Sequence, residues 1–222
     1  MTPLIAGPSV IMKAGPHAGE DLDAIIARKQ RESAATGWCL WGYGGSACHP
    51  LTQIQPHAAA AAPAPVSVLF IQTSSTPLLP STSARAYSAD ARTWTPIPSG
   101  HLVSGSKWAL ILRSLTRTNT EIDLGAYQVA IGPSAGKNLA DYLRGRCDKA
   151  CAVPASAPAA ARNALVIATA ELTSPHSVFL RLTGVLLGVL RASCPSAQGY
   201  GGWVTARAGT QGRLCSWSRA SV

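Results

Sequence analysis

The chain has 222 residues, of which 47% are hydrophobic but only 6% aromatic, and it carries a formal net charge of +9. That length admits one large domain or a domain with an appendage, and much of the apolar fraction is alanine, so a core must come from scattered Leu, Ile, Val and Trp. Six cysteines are too few for a disulfide scaffold, and the longest apolar stretch, residues 178–190, is interrupted by Arg181 and too short to cross a bilayer. The N-terminus lacks a basic region followed by an apolar run of signal-peptide length, so the expectation is a cytoplasmic protein with reduced thiols and no transmembrane segment.

The basic balance favours phosphate-bearing partners, a nucleotide or a nucleic acid. Arginine outnumbers lysine 14 to 5, however, and no long basic run occurs. Together with abundant Ala, Gly and Pro, this fits a GC-rich coding sequence of bacterial type equally well.

In chain order, Pro8–Met12 is a short β-prone run. Gly19–Ser33 reads as a helix, with Glu20, Asp21 and Asp23 in its first turn and Arg28, Lys29 and Arg31 in its last, the order that complements a helix dipole. Leu22, Ile25 and Ile26 form its apolar stripe. Gly37–Pro50 is a loop rich in glycine and aromatic rings. Residues 57–65, HAAAAAPAP, read as an Ala/Pro linker or insertion. Val66–Gln72 reads as a buried strand, Tyr87–Pro98 as an irregular strand or hairpin, and Lys107–Leu115 and Ile122–Ile131 as further strands, with Gly125 as a bulge. Asn138–Cys151 reads as a second helix. The expected fold is α+β, a small mostly antiparallel or mixed sheet with two main helices.

The texture changes near residue 153. Residues 1–152 carry 13 basic and 9 acidic groups, and 153–222 carry 6 and 1. The expected organisation is a globular domain over 1–152, then an Ala/Ser/Gly/Arg-rich tail over 153–222. That tail would be poorly ordered or read out of frame, with possible helices at 164–172 and 178–190.

Four groups of residues carry chemistry. Ala130–Asn138 is a glycine-rich turn between a strand and a helix, where backbone N–H groups and Lys137 suit an anion. Its glycines are one residue too close for a Walker A motif, and Asn138 stands where a magnesium-binding Ser or Thr is needed. Ser134, Lys137 and Asn138, followed by Arg144 and Arg146, make a looser phosphate or nucleic-acid contact. Against it stands an ordinary connection with a solvated helix face. Trp38, Trp41 and Tyr43 offer a stacking platform, against a role in filling the core. Cys48 and His49 offer a nucleophile and a base, and His101 with Asp90 or Asp123 and Ser104 extends that set, though no spacing requires a triad. Cys39, Cys48, His49, Cys147 and Cys151 do not have the spacing of a structural zinc site, so no metal is expected, and no cofactor is indicated.

Three readings follow: a module binding a phosphate-bearing ligand through the 132–138 turn and the 37–50 loop; a Cys48/His49-dependent enzyme; and a protein-interaction domain without a small-molecule site.

Overall fold

The structure, a computed structural model, describes residues 7–44, 50–73, 82–144, 147–157 and 159–182. The elements are β1 (Ser9–Ala14), α1 (Leu22–Thr36), β2 (Cys39–Tyr43), a π-helical turn (Pro50–Ile54) running into α2 (Gln55–Ala61), and β3 (Ser67–Gln72). They continue with β4 (Ala86–Ser88), β5 (Thr95–Pro96), β6 (Trp108–Asp123), a 3-10 turn (Leu124–Ala126), β7 (Tyr127–Val129), α3 (Leu139–Arg144), β8 (Lys149–Pro154) and β9 (Asn163–Arg181). Among the described residues, nine strands form one mixed sheet in the order β2-β6-β9-β3-β1-β8-β7, with β4 on β9 and β5 on β4. Every pairing is antiparallel except β1 with β3. Those two parallel strands are joined by a crossover through α1, β2 and α2, as parallel neighbours require.

Local signals define α1. Asp21 caps it by accepting from the Ala24 N–H at 2.7 Å, and Gly37, at φ 83°, closes it with its N–H on the Ser33 carbonyl. The helix therefore runs past Ser33 to Thr36, and Arg28 and Lys29 lie in its middle rather than at its dipole end.

Strand alternation sorts the core into faces. Val10, Met12, Val68, Phe70, Trp41, Tyr43, Leu110 and Leu112 share one face with Leu22, Ile25 and Ile26 of α1 and with Ile54 and Ala58. Ile11, Leu69 and Ile71 face the other way, onto Leu139, Ala140 and Leu143 of α3. The first face is strongly concave. The Trp41 and Phe70 rings lie 4.1 Å apart, although β6 and β9 separate their strands, a spacing of about 14 Å in a flat sheet. Lys149 on β8 reaches still further, its Nζ 4.2 Å from the centre of the Tyr43 ring on β2.

Several sequence expectations need correction. The sheet is large rather than small, and among the described residues three α-helices flank it. The Ala/Pro stretch at 57–65 is not a linker, because its first residues form α2, whose His57 and Ala58 are buried. The helix expected over Asn138–Cys151 ends at Arg144, and Lys149–Cys151 belongs to β8. Residues 164–172, expected as a helix, lie in β9, a strand with neighbours on both sides. Alanine-rich composition suggested helix and tail, but Leu165, Val166, Ile167 and Leu172 supply the β-branched and apolar positions of an interior strand. The domain boundary expected at 152/153 therefore falls inside β8, and the first compact unit runs to Gly184. Residues 183–222 lie outside the described set.

His57 ties α2 to β1, its Nε2 donating to the Ser9 carbonyl at 3.0 Å. Burial holds its pKa below the ordinary 6.5, against the opposing pull of that hydrogen bond. The unfolded chain thus takes up this proton more readily, so the stability from neutral His57 is complete above pH 6.5 and is lost as pH falls through the lowered folded value. The urea midpoint is expected to fall between pH 7 and pH 5 by less in His57→Gln than in the parent; equal falls would remove His57 as a cause. A chain ending at residue 152, lacking β9, is expected to show no cooperative urea transition by circular dichroism, whereas one ending at Gly184 keeps it.

Candidate functional site

A cleft of about 500 Å3 opens where β1 and β2 end, walled by the loop after β1, one side of α1, the segment 102–106 and Cys147–Asp148. Met12, Trp41 and Tyr43 contribute from the concave core, and Lys13, His17, Glu20, Arg28 and Lys29 supply charge and polarity.

The loop after β1 is shaped by a tight turn. His17 and Glu20 exchange two backbone hydrogen bonds of 3.0 Å, and Ala18 (φ 53°) and Gly19 (φ 85°) between them both lie in the left-handed region. Two positive φ angles in succession make this a primed turn, which sets His17 beside Glu20. His17 Nε2 donates to the Ser104 carbonyl at 3.0 Å, and Glu20 turns to Arg28.

The opposite wall, the strap 100–106, is held by the backbone of Leu102. Its N–H donates to Glu32 Oε1 at 3.1 Å, and its carbonyl accepts from Arg28 Nη1 at 2.9 Å and Lys29 Nζ at 2.7 Å. Glu32 also accepts from both cations, at 2.9 and 2.8 Å. The strap packs so closely on β2 that a Cβ on Gly42 would lie 2.6 Å from Ser106 Oγ and 2.8 Å from Val103 Cγ1. Lys29 and Glu32 are almost wholly buried; burial pulls the Lys29 pKa down, and Glu32 works against that shift.

The residues singled out in the sequence do not gather at one place. Trp41 and Tyr43 do reach the cleft, but as nearly buried rings of its floor; Tyr43 also bonds Ser177 Oγ through its hydroxyl at 2.7 Å. Trp38 lies on the opposite face, against Tyr87 and His101. None of Ser134, Lys137, Asn138 and Arg144 lines the cleft. Lys137 is exposed. Asn138 caps α3, its Oδ1 accepting from the Ala140 N–H at 3.0 Å and its Nδ2 donating to the Gly125 carbonyl. Arg144 pairs with Asp141 at the surface. Gly125 lies in the 3-10 turn rather than in a bulge. Asp90 and Asp123 serve as turn caps: Asp90, held down to about 2 by its backbone donors, accepts from Thr93 and Arg92, and Asp123 accepts from Gly125 and Arg162. Cys48, His49 and Arg146 lie outside the described residues.

No protein-family model, curated protein or solved structure matches the chain.

For the thiols, burial pushes Cys39 up to about 12, which suits a core position rather than a nucleophile. Among the described residues no three His, Cys, Asp or Glu side chains converge as a metal site. Among the described residues no helix is long and apolar enough to cross a membrane.

The cleft residues missed by the sequence reading are Lys13, His17, Glu20, Arg28 and Lys29; Cys147, weighed there as a metal ligand, also lines the cleft. A signal for the first two was present: Gly15-Pro16-His17-Ala18-Gly19 connects a strand to a helix, and such loops at the carboxyl ends of parallel strands are where α/β sheets place ligands. Glu32→Ala would leave Lys29 buried without its carboxylate and the Leu102 N–H without an acceptor. A loss of about 3–5 kcal/mol is expected from urea denaturation; a loss under about 1 kcal/mol would show that the buried cluster does not hold the strap.

Proposed function

We propose that the chain binds a small phosphate-bearing ligand of nucleotide size in the cleft between the loop after β1, α1 and the strap. The observation that carries this reading is the pairing of two unlike walls in one cavity: an apolar floor with Trp41 and Tyr43, and a basic side with Lys13, Arg28 and Lys29. A planar apolar group suits the first and an anion the second. About 500 Å3 falls within the range of small-ligand sites. The position at the carboxyl end of a parallel strand pair agrees with where such sheets hold ligands. In this reading the 37–50 segment contributes through Trp41 and Tyr43, and the 132–138 turn acts as a connection.

Titration calorimetry with nucleoside monophosphates and triphosphates, short single-stranded oligonucleotides and uncharged nucleosides tests the reading. Saturable binding is expected for the phosphate-bearing small molecules, weakening as salt rises. Lys13→Ala is expected to bind about tenfold more weakly, or about 1.4 kcal/mol. Absence of any saturable binding below about 1 mM, a threshold near 4 kcal/mol, would discard the reading.

A further inference from the structure

Arg28 carries two carboxylates of different character. Glu32 is 2% exposed, also bonds Lys29, and accepts the Leu102 N–H, so it belongs to the clamp that holds the strap. Glu20 is 31% exposed and comes from the cleft side. It meets Arg28 fork to fork, Oε1 on Nε at 2.9 Å and Oε2 on Nη2. Among the described residues its carboxylate bonds nothing else, and it caps no helix, since Asp21 does that.

A guanidinium fork facing a cavity is matched in shape by the oxygens of a carboxylate or a phosphate. Here that fork is already filled, and the filler is tethered on the primed turn rather than built into the core. We infer that Arg28 is the phosphate-receiving group of this cleft and that Glu20 occupies it as an internal stand-in, which an incoming phosphate displaces. The inference rests on the proposed reading of the cleft as a phosphate-ligand site, and it names the group that receives the phosphate and the residue that competes for it.

Three features favour displacement. The Glu20 side chain can swing outward about its own bonds, while Glu32 and the Leu102 carbonyl keep Arg28 in place. A phosphate brings up to two negative charges and a third oxygen, against one charge and two oxygens on the carboxylate. Lys13 and His17 line the same cavity, so the added charge and oxygen meet polar groups of the wall. With Glu20 in place, the cluster of Glu20, Glu32, Arg28 and Lys29 sums to zero, and Lys13 and Asp148, which also line the cavity, offset each other; without Glu20 the balance at the cleft is one positive charge. Glu20 thus sets a threshold that weak monoanions do not pass.

The consequence is opposite in sign to that of removing an ordinary binding residue. In calorimetric titrations of the full chain with inorganic phosphate, pyrophosphate and a nucleoside 5′-monophosphate, Glu20→Gln is expected to bind each at least tenfold more tightly than the parent. The matching uncharged nucleoside should be unaffected. Glu20→Ala, a second variant should the amide still hold Arg28, is expected to show the same gain. Thermal denaturation of both checks that the fold persists. If the parent binds and neither variant binds more tightly, the stand-in role is wrong and Glu20 only positions Arg28, while the cleft reading stands. A gain shared by the uncharged nucleoside would also overturn the inference, since it would mark a wider cleft rather than a freed charge. If no phosphate compound binds parent or variants, both the inference and the cleft reading fall.

Discussion

The pairing of β6 with β9 is the constraint on which the rest of the molecule depends. These strands run 16 and 19 residues, and β9 pairs along its length with β6 on one side and with β3 and β4 on the other. A straight 16-residue strand would extend about 50 Å, too long for a domain of this size. Three register shifts along the ladder, with Ser114 and His176 at positive φ, bend it instead. The bend brings β2 over β3 and β8, so Trp41 meets Phe70 and Lys149 meets Tyr43 across the concave face. A flat sheet with the same strand order would have neither that core nor the cleft at its end.

The second requirement is the wall. A loop such as the strap would ordinarily be held by apolar packing or by backbone pairing. Here both backbone groups of one residue, Leu102, are bonded by side chains of α1. The charges involved are shielded from water, which costs desolvation, and the arrangement is tolerable because each charge finds an opposite charge and a backbone partner. A buried ionic clamp adds less to stability than apolar packing of equal volume, but it permits one geometry. It thereby holds the strap so close to β2 that a side chain at position 42 would have to displace Ser106 and Val103.

Much of this organisation was legible in the sequence, and the failures have common causes. Val66–Gln72 and the first strand were readable because β-branched and large apolar residues dominate them. Asp21 was read as a first-turn acid of a helix beginning at Gly19, whereas it is the cap before Leu22. The end of α1 was misplaced because Arg28 and Lys29 were read as last-turn partners of the helix dipole, when they lie mid-helix and contact Leu102 and Glu32. The largest error, starting the tail at 153, came from composition: Ala-Ser-Pro-rich sequence around β8 and β9 resembles a linker locally, while the strands' partners lie up to about 140 residues away in β1, β3 and β6. Non-local pairing leaves little trace in a local window. The cleft was hard to read for the opposite reason. The 130–138 turn has the local look of an anion site, but Ser134, Lys137 and Asn138 do not line the cleft, and Asn138 caps α3. The cleft draws its lining from segments far apart in the chain, around residues 12–29, 41–44, 102–106 and 147–148, none of which is a motif alone.

That dispersal also changes what the net charge means. The +9 of the chain suggests a basic surface, but Arg28, Lys29, Arg113, Arg117 and Arg144 are each matched by a carboxylate in the structure. Total charge governs long-range attraction to anions and is screened over roughly 10 Å in physiological salt. Selectivity is decided at shorter range, by which cation faces the cavity and what already occupies it. Arg28 and Lys29 at the cavity are both compensated by carboxylates, so under the reading proposed above an anion would enter by exchange with Glu20 rather than by filling an empty positive pocket. Such an exchange would favour ligands whose charge and oxygen count exceed those of the carboxylate they replace, and the compensated cluster, rather than the excess of arginine, would then be the source of discrimination.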